Sequence, residues 1–116
     1  MNTITIQDHT YNVQFTMYAA IAFQRLTGIN ILDPEQATLI DDLENNFRFM
    51  YCILMGSNKD EDLPDIDQLM KTIQAKEYID LRNLCLRSYQ DYFKPMVGDK
   101  TEAPTDNTGE EVKPKN

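Results

Sequence analysis

The chain contains no tryptophan, a single histidine, two cysteines and four glycines, and its 11 Lys+Arg are outnumbered by 19 Asp+Glu. Each shortage removes a class of function. A formal charge of -8 repels a phosphate backbone, so nucleic acid is not an expected partner. Cys52 and Cys85 lie in separate apolar stretches and belong to no C-x-x-C pair, which predicts reduced, buried thiols rather than a disulfide framework. With only His9 beside them, a zinc site lacks ligands. The glycines Gly28, Gly56, Gly98 and Gly109 are scattered singly, whereas a phosphate cradle needs them closely spaced. The longest apolar run, Met50 to Met55, is far short of the ~20 residues that cross a bilayer. The opening residues MNTITIQDHTYNV have neither a basic start nor an apolar block. A soluble, cytoplasmic protein without a membrane partner is expected.

Catalytic constellations are missing as well. His9 falls in a predicted turn among polar neighbours, where an exposed side chain is expected rather than a general base. Asp41 and Asp42 diverge by about 100° on a helix and read as surface charge. Asn58-Lys59-Asp60-Glu61-Asp62 starts like a calcium loop, but the places that need Gly and a bidentate Glu hold Leu63 and Leu69. No enzyme, no cofactor and no metal are expected.

Present instead is an ordinary globular composition, 41% hydrophobic and 26% charged, enough for one small core. Residues 3–16 read as a β-hairpin: Thr3 to Gln7 and Tyr11 to Phe15 alternate with period two, separated by Asp8-His9-Thr10. Ile4, Ile6, Tyr11, Val13 and Phe15 then share one apolar face, which must pack on helices because a lone hairpin is marginal. Thr16 predicts a cap for a helix over about 17–27, with Tyr18, Ile21, Ala22, Arg25 and Leu26 along its stripe and Gly28 as its stop. Asp33-Pro34-Glu35-Gln36 starts a long helix over about 34–56, with a small break near Thr38 left open. Asp65 predicts the cap of a helix over 65–74, and a last one covers 75–94; the two could also be one bent rod. The expected fold is α+β and mainly helical, a hairpin packed on three to four helices in a single domain 1–94. Residues 95–116 are too polar to offset chain entropy and read as a disordered tail.

Between Phe47 and Met55 only Arg48 is polar. Phe47, Met50, Tyr51 and Leu54 make one stripe, and Phe49 with Ile53 makes a second, turned away from it. Either this is a central helix buried on both sides, or the second stripe covers a partner. Under the latter, Phe49, Met50, Tyr51 and Ile53 are the contact residues.

The strand–turn–strand TITIQDHTYNVQFTM, followed by YAAIAFQRLTGINIL and the apolar helix, resembles the N-terminal part of the tail assembly chaperones of long-tailed bacteriophages and prophages. Ile4, Ile6, Tyr11, Val13, Phe15, Ala22, Leu26, Thr27, Gly28, Ile31 and Leu32 carry the likeness, with Tyr51 to Gly56 as a later segment. It spans about the first 56 residues. The resemblance implies a non-enzymatic protein that binds the tape measure protein and keeps it soluble while the tail tube assembles. It also implies tail tube protein as a second contact, cytoplasmic location in the host, absence from the mature virion, and in several relatives a longer frameshifted product. A homo-oligomer, a structural virion component (minor tail or connector subunit) and a small acidic regulatory protein are the alternatives the residues leave open.

Overall fold

A computed structural model describes residues 2–94; the tail expected over 95–116 lies outside the described residues. Strands β1 (Asn2–Ile6) and β2 (His9–Val13) form an antiparallel hairpin, with Ile4 opposite Tyr11 and Thr5 opposite Thr10. The tight turn is Gln7-Asp8, both at positive φ (51° and 69°), one position earlier than Asp8-His9-Thr10. Two such residues match the right-handed twist of the strands, so His9 joins β2 as an exposed side chain. The turn is tied down at long range. The Gln7 backbone N–H donates to Glu77 Oε2 at 3.3 Å, and the Gln7 side chain donates to the Thr72 carbonyl at 3.1 Å. Accepting first from the Gln74 backbone N–H and then from Gln7 holds the Glu77 carboxyl below the usual carboxylate range.

Five helices follow: α1 (Met17–Thr27), α2 (Pro34–Ala37), α3 (Leu43–Ser57), α4 (Ile66–Thr72) and α5 (Ala75–Tyr92). Thr16 Oγ1 accepts from the Ala19 N–H, and Gly28 ends α1 at φ 81°, a conformation that costs residues with a Cβ. Asp33 caps α2 with Pro34 in its first turn. The helix expected over 34–56 is interrupted. A 3₁₀ turn covers Thr38–Asp41, and Asp42 is extended (φ -65°, ψ 133°) with its carboxylate accepting from the Asn45 N–H, so α3 starts afresh. Asp65 occupies the cap position of α4, but its side chain makes no capping bond; its backbone carbonyl accepts from Leu69 instead. Residues 65–94 form two helices, not one rod, because the chain is extended at Ile73 and Gln74 and a Gln74–Glu77 capping box restarts it.

The hairpin's apolar face and α1, α3 and α5 share one core, containing Ile6, Val13, Phe15, Phe23, Ile53, Leu54, Leu81 and Cys85. On α1 the inward face is Ala19, Ala20 and Phe23, which corrects the stripe read from spacing: Tyr18 is 52% exposed and Ile21 46%. The start of α1 lies close to the end of α3: a Cβ on Gly56 would be 2.7 Å from Thr16 Oγ1, 3.5 Å from Tyr18 Cδ1 and 3.6 Å from the Ala19 nitrogen, so a side chain at 56 would collide there, while further along Phe23 meets Phe49 of α3 edge-on. At the far edge of β2, Asn58 imitates a strand: its Oδ1 accepts from the Asn12 N–H, and its Nδ2 donates to the Asn12 carbonyl, both at 2.9 Å. That pairing covers part of an otherwise open edge.

Both thiols are free and buried. Burial pushes Cys52 up to about 12 and Cys85 higher still. A disulfide-exchange reagent at pH 8 should therefore leave both untouched in the native chain and titrate both once denaturant is added. Stoichiometric labelling under native conditions would mean that α3 and α5 separate readily.

Candidate protein-binding groove

The contact residues expected on α3 occupy different places. Phe49 is 0% exposed, with ring centroids of Phe15, Phe23 and Tyr89 at 6.1, 5.6 and 5.7 Å. Met50 and Ile53 are buried too. Tyr51 is half-buried, and its hydroxyl donates to the Pro64 carbonyl at 2.6 Å. Burial, with Asp65 and Asp60 nearby, raises the Tyr51 hydroxyl above its ordinary value. The choice left open for Phe49 and Ile53 is thus settled for the core: hairpin and α1 cover one flank of α3 and α5 another, leaving neither stripe outside. None of Phe49, Met50, Tyr51 and Ile53 lines an open apolar surface.

Such a surface exists one to two turns nearer the start of α3. A groove of about 670 Å³ runs between the first turns of α3 and the α4–α5 junction, lined by Leu43, Phe47, Met70, Ile73 and Tyr78 with Asp42 and Glu44 on its α3 side. That volume is within the usual range for a binding pocket and holds a few aliphatic anchors. Local chemistry explains its shape. The Asp42 cap starts α3 abruptly and leaves Leu43, in the first turn, 68% exposed. Phe47, one turn on, stacks parallel to Tyr78 with centroids 6.3 Å apart and planes 3° from parallel. Tyr78 is held from behind, since its hydroxyl donates to Oδ1 of the buried Asn46 at 2.7 Å and the Arg82 guanidinium sits 6.0 Å from its ring centre. Across from them the extended Ile73-Gln74 step opens a gap between α4 and α5, and Met70 and Ile73 face it. Phe47 and Leu43 belong to the apolar spacing of the long helix, and Met70, Ile73 and Tyr78 to the helical spacing of the two that follow, which by itself marks none of them as open. The clue was the restart at Gln74, where two stripes end side by side.

A second, smaller pocket of about 380 Å³ lies under the hairpin, where Gln7, His9, Glu61, Asp62 and Gln68 join apolar residues such as Leu63 and Leu69. Among the described residues no three His, Cys, Asp or Glu side chains gather as metal ligands, and no helix is long and apolar enough to cross a membrane. Compared with known proteins, the chain matches no family model, no curated protein and no solved structure.

Proposed function

We propose that this protein is a non-enzymatic tail assembly chaperone of a bacteriophage or prophage, which binds the tape measure protein and keeps it soluble until tail tube subunits enclose it. The observation that supports this function best is the open groove of Leu43, Phe47, Met70, Ile73 and Tyr78. Side chains from three helices leave apolar area uncovered where their stripes converge, and an amphipathic helix presents apolar anchors at i, i+3, i+4 and i+7 that fill such a groove. A long helical polypeptide awaiting assembly exposes stripes of that kind. The N-terminal resemblance supplies the identity of the partner; the groove supplies the surface, displaced from Phe49 and Ile53 toward Leu43.

Co-expression with the tape measure protein of the same genome tests the proposal. The native chain should co-purify with it, and Leu43→Asp/Met70→Asp, which alters two exposed side chains, should reduce recovery by about tenfold or more. Circular dichroism and an unchanged unfolding midpoint would show that the variant is folded. Undiminished recovery would remove the groove from the mechanism, and a fixed copy number of the protein in purified particles would make it a structural component.

A further inference from the structure

We infer that the groove selects a cationic amphipathic helix, with Lys or Arg flanking its apolar stripe. This rests on the groove being the partner site and adds which partners fit. From Asp33 to Glu44 the chain carries five carboxylates (Asp33, Glu35, Asp41, Asp42 and Glu44) and no Lys or Arg. The same stretch holds two leucines exposed by half or more, Leu39 and Leu43. Asp42 and Glu44 are the charged groups that line the groove, and Asp41 lies across Tyr78 in a small adjoining pocket. Among the described residues, Arg48 pairs with Glu44 at 2.6 Å and Lys76 with Asp80 at 2.9 Å, while Arg82 lies over the Tyr78 ring and shares the adjoining pocket with Asp41. Lys71, in the last turn of α4, does not line the groove. Asp41, Asp42 and Glu44 thus outnumber Arg48 and Arg82 and keep the α3 side of the apolar floor net negative. A helix bearing leucines alone would leave those carboxylates facing its stripe, whereas one with flanking lysines meets them.

Fluorescent leucine peptides of about five helical turns, identical except for flanking Lys or Glu, provide the probe. Titrated with the full-length chain at neutral pH, the Lys peptide should bind about tenfold tighter, roughly threefold per exposed pair, with the gap closing as salt is raised. Because the whole chain is acidic, position must be separated from net charge. Asp41→Asn/Asp42→Asn retains a capping side chain at 42 and should abolish the preference. Glu61→Gln/Asp62→Asn, the same charge change beneath the hairpin, should leave it intact. Equal binding of both peptides, or equal effects of the two double variants, overturns the charge selection while leaving the groove as a docking site. Failure of both peptides to bind overturns the groove itself. Sedimentation of the free chain as a dimer that Leu43→Glu disperses would identify a second copy as the occupant and also overturn the inference. Should Asp41→Asn/Asp42→Asn misfold, Asp41→Asn alone, which leaves the Asp42 cap intact, should reduce the preference about threefold, and an unchanged preference in it overturns the charge selection.

Discussion

Phe49→Ala should lower the stability of the chain by about 3–5 kcal/mol, the usual cost of removing a fully buried aromatic ring. Phe49 lies where three parts of the fold meet: Phe15 follows the hairpin, Phe23 belongs to α1 and Tyr89 to α5, and all three rings lie within 6.1 Å of it, centroid to centroid. Truncation removes edge-to-face contacts with Phe23 and Tyr89 and leaves a hole that close-packed neighbours refill only in part. Small domains hold about 5–15 kcal/mol in total, so the variant should be marginal or partly unfolded at 25 °C. In urea its midpoint should fall by about 1–5 M, given slopes of about 1–3 kcal/mol/M. Leu43→Ala, at an exposed groove residue, should shift stability by no more than about 0.5 kcal/mol. A Phe49→Ala chain as stable as the parent, or a Leu43→Ala chain that unfolds, would reverse the assignment of core and surface on α3.

Ser88→Ala should cost about 1–3 kcal/mol although it removes a single oxygen. Ser88 is buried on α5, and its Oγ accepts from the Phe15 backbone N–H at 2.8 Å, joining residues far apart in the chain. The hairpin ladder ends at Val13, so the Phe15 N–H has no strand partner. Nor does α1, which starts at Met17, supply one. Without the hydroxyl that donor is buried and unsatisfied, and the penalty is its full desolvation. The bond also places the Phe15 ring, which meets Tyr89 and Tyr92 edge-on at 5.0 and 5.1 Å. Urea denaturation should show the loss of stability, and native-state hydrogen exchange should show the Phe15 amide losing protection ahead of its neighbours. Gln90→Ala, two residues on at an exposed position, is the control and should change neither. If Ser88→Ala leaves both observables unmoved, the contact carries no weight in the fold.

Much of the architecture was legible because its signals are local. Period two in Thr3–Gln7 and Tyr11–Phe15 follows from side chains alternating across a strand, and the faces so assigned to Ile4, Ile6, Tyr11, Val13 and Phe15 are the buried ones. Thr16, Asp33 and Gly28 mark helix ends through bonds or dihedral angles involving only near neighbours. The misassignments share a cause. On α1 both the Ala19–Ala20–Phe23 face and the Tyr18–Ile21–Leu26 face are apolar, so periodicity alone offers two solutions. The one realised depends on partners in another helix, with Phe23 meeting Phe49 of α3 edge-on at 5.6 Å. The break left open near Thr38 in the helix expected over 34–56 is realised as a 3₁₀ turn over Thr38–Asp41, with Asp42, a residue that favours caps over helix interiors, restarting the chain as α3.

The groove was less visible than the core around it. Nothing in helical spacing sets Leu43, Phe47, Met70, Ile73 and Tyr78 apart; only the meeting of α3 with the α4–α5 junction leaves Leu43 and Met70 exposed and Ile73 and Tyr78 half-buried beside a buried Phe47. Phe49 and Ile53 illustrate the converse: they look surplus on a helical wheel, yet hairpin, α1 and α5 surround α3 and bury them. Amino-acid order by itself determined the hairpin, most helix ends, the acidic balance and the reduced thiols, because those depend on backbone preferences, charge and neighbours a turn away. Which apolar side chains face inward and which line the groove was decided only by tertiary packing, since burial belongs to pairs of surfaces brought together and not to either segment alone.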